Sequence, residues 1–234
     1  QLSDVRVGAL YLTGDSKYID KKITTLSGAH QSLVFCGKDI FSDQHHIKWF
    51  KAQSFDCMIS VYWPWLLSPE FFGNVKKSVN FHPSLLPLNR GWYPHVNNLI
   101  EQTSAGVTLH EISHGADEGN VWAQRTVEIC PTDTALDLYL RLQHDIVSLF
   151  KEKWSDIIGD NIFPYPQEGN PTYNPKSKIA ALDTLQPDQT IKVLDLINFL
   201  RARSFGDKGF SHIEIDGFRV YLHLKLSDSP DFSP

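Results

Sequence analysis

Residues 79–87 read Val-Asn-Phe-His-Pro-Ser-Leu-Leu-Pro, and residues 89–91 read Asn-Arg-Gly. The interrupted apolar run before them predicts a strand with Asn80 and His82 near its end, where side chains two positions apart share one face. Pro83 ends the strand, because it has no N–H for the ladder and disfavours helix in the residue before it. Ligands bind at the carboxyl ends of strands in open α/β sheets. We therefore predict that Asn80 and His82 face a ligand side by side.

The two side chains complement each other chemically. The Asn80 carboxamide has N–H donors for an oxyanion that develops during a reaction. The His82 imidazole can move a proton near neutral pH. A purely structural alternative is a satisfied turn, in which Asn80 caps the chain and His82 packs. Both interpretations stay open on these two residues alone.

The composition is that of an ordinary globular protein, with 41% apolar and 21% charged residues. A net charge of −5 and a pI near 6.0 argue against a nucleic-acid binder, because no basic excess is available to neutralise phosphates. No apolar run approaches the length of a membrane span. Three widely separated cysteines predict reduced thiols in a cytoplasmic protein: Cys36, Cys57 and Cys130.

Strands and helices alternate along the first two thirds of the chain. The pattern predicts strands over Val5–Leu12, Leu33–Cys36, Cys57–Tyr62, Gly106–His110 and Val121–Ile129. It predicts helices over His45–Gln53, from Ser68-Pro69-Glu70, over Trp92–Gln102, and from a cap at Thr132 or Asp133 to Trp154. The apolar stripe expected on the last helix is Leu136, Tyr139, Leu140, Ile146, Val147 and Phe150. This alternation predicts an α/β domain over residues 1–158 with a largely parallel sheet.

Composition changes after residue 158. Prolines and glycines without apolar periodicity predict a linker over residues 159–178. Beyond it, Thr190 is expected to cap a helix whose stripe is Ile191, Leu194, Ile197 and Leu200. Asp216-Gly217 between two strand-like runs predicts a type I′ hairpin. Residues 179–234 are thus expected to form a small α+β domain.

Residues 110–114 read His-Glu-Ile-Ser-His, the H-E-x-x-H pattern of zinc peptidases. That chemistry needs a helix, which would place both histidines on one face. The strand-like residues 106–108 before the motif and Gly115 after it predict a strand end and a loop. An extended segment would hold the two histidines about 13 Å apart, too far for one tetrahedral metal. We predict no metal here and keep the zinc peptidase as a weaker alternative.

Asp117 is a further candidate, because it stands on a loop with Gly119 two residues on. Its carboxylate could orient a histidine or relay a proton. It could also belong to a simple Asp-Glu-Gly turn.

Taken together, these motifs resemble the formyltransferases that use N10-formyltetrahydrofolate. That family includes glycinamide ribonucleotide, methionyl-tRNA and sugar N-formyltransferases. The resemblance lies between Cys57 and Trp154, in Asn80-x-His82-Pro83-Ser84-Leu85-Leu86-Pro87, Arg90-Gly91, Gly106-Val107-Thr108-Leu109-His110, Asp117-x-Gly119 and Gln124. It implies a Rossmann-like formyltransferase fold whose first strand precedes this sequence.

The resemblance also implies catalytic roles. Asn80 and protonated His82 would stabilise the oxyanion formed when an amine attacks the formyl carbon, and Asp117 would hold His82 and relay the proton. No metal would be needed. The implied folate-binding residues are Tyr62, Trp63, Pro64, Trp65, Leu66, Ser113 and His114. For Trp63 and Trp65, plain core packing is the alternative.

The formyl acceptor is best predicted from residues 90–95, Arg-Gly-Trp-Tyr-Pro-His, and the small C-terminal domain. These resemble the sugar N-formyltransferases, which implies a nucleotide-linked amino-dideoxy sugar, with dTDP-4-amino-4,6-dideoxyglucose first, used for surface polysaccharide such as the O-antigen of lipopolysaccharide. Arg90 could pair with pyrophosphate or brace the loop, and Trp92, Tyr93 or His95 could contact sugar or base. The family also implies a homodimer.

Three further alternatives remain. Glycinamide ribonucleotide formyltransferases end soon after the long helix, so the tail beyond residue 178 argues against that acceptor. Formyltetrahydrofolate hydrolases carry an N-terminal regulatory domain that is not seen here. A folate or nucleotide binding module without catalysis would not need a proton-transfer group beside Asn80.

Overall fold

The structure is a computed structural model that describes residues 6–13 and 34–229. The chain divides into two compact units, and the division falls after Val79, inside a strand.

The first unit begins with strands β1 (Leu10–Leu12) and β2 (Val34–Cys36), which pair in parallel. A 3-10 helix (Asp39–Phe41) follows, and then α1 (Gln44–Gln53), β3 (Cys57–Val61), α2 (Pro69–Phe72) and the start of β4 (Lys77–His82). Strand β3 is the neighbour of β4. The strand predicted over Val5–Leu12 is shorter than expected, since residues 6–9 have no regular structure and Val5 lies outside the described residues, as does Leu33 of the second predicted strand.

The second unit is built on β4, β6 (Ala105–His110) and β7 (Val121–Val127), which lie side by side in that order. Both ladders are antiparallel, with Asn80 opposite His110 and Thr108 opposite Gln124. The α/β fold class is confirmed, and β1 and β2 of the first unit form a parallel ladder. Strands β6 and β7 run antiparallel because the ten-residue loop between them has no crossover helix, which parallel strands would need.

Helix α4 (Ala135–Ile158) packs on β6 and β7 and buries their outer face. Its predicted cap at Thr132 or Asp133 is wrong, because Thr134 caps the helix and forms a reciprocal capping box with Asp137. Of the predicted stripe, Ile146 is buried, Leu136, Tyr139 and Phe150 are partly buried, and only Leu140 and Val147 are exposed. The buried residues are Ala135, Leu138, Leu142, Ile146, Leu149, Trp154 and Ile157. Leucines occur on several sides of this helix, so spacing alone does not fix its rotation.

Two short elements lie between β4 and β6: β5 (Arg90–Gly91) and α3 (Pro94–Glu101). Strand β5 pairs in parallel with β8 (Tyr173–Asn174), which lies in the segment predicted as a linker. Part of the predicted linker, at residues 172–174, is therefore hydrogen-bonded to the loop that follows β4.

The C-terminal elements are α5 (Lys176–Leu182), β9 (Thr184–Leu185), α6 (Val193–Ala202), β10 (Ser204–Phe205), β11 (Lys208–Gly209), β12 (His212–Ile215) and β13 (Phe218–Tyr221). The hairpin prediction is confirmed, since Asp216 and Gly217 have φ of 49° and 80° between β12 and β13. The cap predicted at Thr190 is wrong: Lys192 precedes the helix, and its carbonyl accepts from Leu196 N–H.

Within the ranges 6–13 and 34–229, no helix is long and apolar enough to cross a bilayer.

Candidate functional site

Three predicted residues meet at the end of β4. Asn80 Nδ2 lies 3.4 Å from Asp117 Oδ1, and His82 Nδ1 lies 3.4 Å from the same oxygen. Asp117 stands on the loop between β6 and β7 at a φ of 56°. Asp117 lies 35 or more residues after Asn80 and His82 in the sequence. The pairing of β4 with β6 brings them together, because β6 leads directly into the loop that carries Asp117.

His82 is buried, and both ring nitrogens face acceptors. Nε2 lies 2.9 Å from the Asn89 carbonyl oxygen, and Nδ1 faces Asp117. Burial lowers the pKa of His82, and the carboxylate of Asp117 opposes this only in part. Nε2 donates to the Asn89 carbonyl, and the carboxylate beside Nδ1 favours a proton on that atom as well.

The Asp117 carboxylate is held from several sides. Its Oδ2 accepts from the Gly91 N–H at 2.8 Å, and its Oδ1 lies 3.5 Å from His110 Nε2. Burial alone would raise the pKa of Asp117, but the imidazoles of His82 and His110 and the Gly91 N–H outweigh it and hold that pKa well below its usual range. The group is an ionised carboxylate at neutral pH.

His110 belongs to this cluster, although the sequence pattern singled it out only as a zinc ligand. Its Nδ1 donates to the Glu111 carbonyl at 2.7 Å, so its Nε2 accepts from Asn80 Nδ2 at 2.9 Å. One Asn80 N–H is thereby engaged, and the second remains for Asp117 or a ligand. Asn80 lies opposite His110 across the β4–β6 ladder, and knowledge of that pairing would have been needed to predict the contact.

The H-E-x-x-H motif is a strand end and a loop, as predicted. His110 is the last residue of β6, whereas His114 is exposed. In the part of the chain that the structure describes, no group of three or more His, Cys, Asp or Glu residues could hold a metal ion.

The loop after β4 is fixed by the neighbouring strands. Thr108 Oγ1 donates to the Ser84 carbonyl at 2.6 Å, and Gln124 Nε2 donates to the Leu86 carbonyl at 2.7 Å. Asn89, which was not singled out by its chemistry, has a φ of 56° and is buried. Its side chain accepts from Asn174 Nδ2 at 2.8 Å, which fixes the carbonyl that orients His82.

Arg90 is engaged inside the protein. Its Nε and Nη2 donate to Gln167 Oε1 at 3.2 and 2.8 Å, and its Nη1 lies 3.5 Å from Glu118 Oε1. The bracing alternative for this side chain is therefore present in the structure, and part of the guanidinium fork is used by it.

The three aromatic candidates after Arg90 diverge. The Trp92 ring carries Lys176 Nζ 4.8 Å from its centre, and Tyr93 precedes α3 at a φ of 55°. His95 is instead buried, and its ring contacts Tyr139 and Phe205. Burial, assisted by Arg203, lowers the pKa of His95 to about 4.

The folate-binding candidates fall in both units. In the first unit, Tyr62 has a φ of 50° and Leu66 is 68% exposed. The Trp63 ring packs edge-on against Trp65, and its Nε1 is buried without a hydrogen-bond partner among the described residues. In the second unit, Ser113 Oγ donates to the Gly115 carbonyl at 3.1 Å, one residue before the exposed His114.

The α/β fold thus brings a carboxamide, an imidazole and a carboxylate together at a strand end. The formyl transferase family model matches residues 12–152, more than half of the chain. The chain belongs to this family. Residues 178–228 match the N-formyltransferase dimerization C-terminal domain.

Two curated relatives have different acceptors in their names. A methionyl-tRNA formyltransferase from Coprothermobacter proteolyticus is 36% identical over 132 residues, 56% of this chain and 43% of the relative. A dTDP-4-amino-4,6-dideoxyglucose formyltransferase from Mycobacterium bovis is 31% identical over 154 residues, 64% of each protein. The chain therefore matches less than two thirds of the length of either relative.

Solved structures extend the likeness of the fold to the C-terminal domain. A sugar N-formyltransferase from a Shewanella species superposes with a TM-score of 0.78 at 23% identity, over 96% of this chain and 99% of that one. An N-formyltransferase from Helicobacter canadensis, solved with folinic acid and dTDP-3-aminofucose, superposes with a TM-score of 0.62 at 20% identity, over 92% and 86%. At these identities the comparison concerns the fold.

Proposed function

We propose that this protein transfers the formyl group of N10-formyltetrahydrofolate to the amine of a nucleotide-linked amino-dideoxy sugar. The convergence of Asn80, His82 and Asp117 within 3.4 Å carries the proposal. It is the donor, base and carboxylate set that formyl transfer to an amine requires. The named relatives and the C-terminal domain match support the same class of reaction.

The chemistry follows from the contacts. The neutral amine forms a bond to the formyl carbon, and the carbonyl oxygen becomes an oxyanion that the second Asn80 N–H can receive. The amine then loses a proton to the His82–Asp117 pair. The protonated ring of His82, which can also stabilise the oxyanion, is held by Asp117 and by the Asn89 carbonyl. The bond from carbon to N10 breaks, and N10 takes a proton. Because two substrates react directly, holding them in register supplies much of the rate.

For the folate, we propose the predicted residues in each unit. The loop residues Tyr62, Trp63, Pro64, Trp65 and Leu66 offer apolar surface and backbone groups. Ser113 and His114 stand on the loop that leads to Asp117. The Helicobacter structure with folinic acid supports a folate co-substrate.

For the nucleotide, we propose Arg90, Trp92 and Tyr93 as contacts. Arg90 would meet the pyrophosphate with the N–H groups that Gln167 does not use, and the rings of Trp92 and Tyr93 would meet sugar or base. His95, also predicted as a contact, would act through the packing of α3, since its ring is buried. We place dTDP-4-amino-4,6-dideoxyglucose first among acceptors because the Mycobacterium relative is named for it.

We propose that the protein works as a homodimer in the cytoplasm, within surface polysaccharide synthesis such as that of O-antigen or lipopolysaccharide. The dimerization domain match supports the dimer. Cysteines in the thiol form at Cys36, Cys57 and Cys130 fit a reducing compartment.

A parallel acceptor assay tests the function. Purified protein and N10-formyltetrahydrofolate are offered dTDP-4-amino-4,6-dideoxyglucose, its 3-amino isomer, a GDP-linked amino sugar, glycinamide ribonucleotide and methionyl-tRNA. We expect tetrahydrofolate release that depends on one amino sugar. Release only with glycinamide ribonucleotide or methionyl-tRNA would reject the acceptor class. Release without any amine would indicate a hydrolase.

A further inference from the structure

Gln167 lies in the connection between α4 and β8, and its side chain is hydrogen-bonded to residues of the candidate site. It is half-buried, whereas its neighbours Pro166 and Glu168 are exposed. Its Nε2 donates to the carbonyl oxygens of Asp117 and Gly119, each at 2.8 Å. Its Oε1 accepts from Arg90 Nε and Nη2.

These four hydrogen bonds determine which way the carboxamide faces. A guanidinium can only donate, and backbone carbonyls can only accept, so Oε1 must face Arg90 and Nε2 must face the Asp117 loop. Both N–H groups and both lone pairs of the amide are used. A glutamate could keep the acceptor but has no donor for the two carbonyls.

The Asp117 loop is a segment that needs such support. Asp117 is a non-glycine residue at a φ of 56°, a conformation that costs free energy unless its surroundings hold it. Its carboxylate lies 3.4 Å from both Asn80 and His82, at the long end of hydrogen-bonding distance. A small displacement of the loop would therefore separate the carboxylate from both partners.

Gln167 also joins the two loops of the site. Gly91 N–H donates to the Asp117 carboxylate, and Gln167 connects the Arg90 side chain to the Asp117 backbone. Residues 90–91 and Asp117 are thus linked twice. Gly91 bonds directly to the carboxylate, and Arg90 is connected to the Asp117 backbone through Gln167.

We propose that Gln167 is a positioning residue that fixes the Asp117 loop against Arg90 and so holds the carboxylate beside Asn80 and His82. This rests on the proposed function for its kinetic consequences. Two variants separate the two halves of the amide. Gln167→Met keeps the length and removes all four hydrogen bonds, whereas Gln167→Glu keeps an acceptor for Arg90 and removes both donors.

We expect both variants to lower kcat about a hundredfold, since a small misplacement of a reacting group has that effect. The KM for the folate and the Tm should stay near those of the wild type. Glu168→Gln, at the exposed neighbour, and Gln53→Met, where the side chain donates to the Trp49 carbonyl of its own helix, are the matched controls. A Gln167→Glu variant with unchanged kcat would overturn the proposal, because bracing of Arg90 would then suffice.

A double-mutant cycle tests whether Gln167 acts through the carboxylate. In an Asp117→Asn background, Gln167→Met should cause little further loss of rate, because residues that act as a unit are not additive. Full additivity of the two losses would overturn the proposal.

A measurement without turnover keeps this inference separate from the proposed function. The imidazole resonances of His82 are followed by NMR against pH and assigned with His82→Ala. Because Asp117 raises the pKa of His82, a displaced carboxylate in Gln167→Met should move that titration to lower pH. An unchanged titration would overturn the positioning role, whereas inactivity of the wild type towards every amino sugar would reject only the proposed function.

Discussion

At the scale of single residues, the site depends on where one carboxylate stands. Asp117 is brought to Asn80 and His82 by a loop rather than by the strand that carries them. Its two oxygens have separate partners: Oδ2 takes the Gly91 N–H, and Oδ1 faces the other two side chains. The charge, and not the shape, of this group is what we expect catalysis to require.

Replacing the charge tests that expectation. Asp117→Asn keeps an oxygen for the Gly91 N–H but cannot stabilise an imidazolium at His82. We expect kcat to fall by about 10²–10⁴ while circular dichroism stays that of the wild type. Asp160→Asn is a matched control, since Asp160 is exposed and also has a positive φ, 57°. An Asp117→Asn variant that retained most of its rate would remove Asp117 from the mechanism.

His95 leads to a prediction about stability. Its pKa is lowered to about 4 by burial, so the unfolded chain binds a proton near pH 6.5 that the folded protein refuses. The sign follows: stability is fully present above pH 6.5 and falls as the pH drops towards 4. Between pH 7 and pH 5 this one group should cost about 2 kcal/mol of unfolding free energy.

Urea unfolding at the two pH values measures this cost. His95→Asn, which does not titrate, should show a pH dependence smaller by that amount. His144→Asn, at an exposed histidine, is the control. Equal pH dependence in wild type and His95→Asn would show that His95 is not the group responsible.

At the scale of elements, α4 is the helix whose start is best defined. Thr134 and Asp137 hydrogen-bond to each other's backbone and side chain, so two of the orphan N–H groups are satisfied. Asp133, the residue before the cap, instead accepts from Arg141 at 2.7 Å.

A pair of threonine variants tests the cap. Thr134→Ala should lower the free energy of unfolding by about 1 kcal/mol, the usual cost of losing an N-cap side chain. Thr132→Ala, two residues earlier, should leave it unchanged, because the helix does not begin there. Chemical unfolding followed by circular dichroism measures both. If the two variants were equally destabilised, the capping box would not account for the loss.

At the scale of the whole molecule, apolar side chains of the C-terminal domain face outward. Val193, Leu194, Phe218, Val220 and Tyr221 are all exposed, from α6 and β13. Exposed large apolar side chains are a sign of an interface when they gather on one surface. Together with the dimerization domain match, they support a second copy of this chain as the partner.

A charge placed on β13 tests the assembly. Phe218→Glu should convert the proposed dimer to a monomer in size-exclusion chromatography with light scattering, because burying an unpaired carboxylate is costly. Phe163→Glu is the matched control, since Phe163 is 73% exposed, against 74% for Phe218, but lies outside the C-terminal domain. A Phe218→Glu variant that remained dimeric would place the interface elsewhere.

Local signals were enough for several elements and for part of the site. Pro83 after an apolar run predicted the end of β4, and Asp216-Gly217 predicted the hairpin, because both depend on backbone preferences of one or two residues. The buried face of α4 was predicted only in part, because its many leucines leave the rotation of the helix to packing. The roles of Asn80, His82 and Asp117 remain predictions that their geometry supports.

Strand alternation was enough to predict that the Asn80 carboxamide and the His82 imidazole share one face of a strand end, and that a carboxylate follows on a glycine-flanked loop. The contacts of His110 with Asn80 and of Gln167 with the Asp117 loop arise only when the chain folds. The two kinds of feature differ in how far along the chain they reach. Strand and turn preferences act over a few residues, whereas these contacts join residues 30 and 50 positions apart and depend on strand register and loop closure.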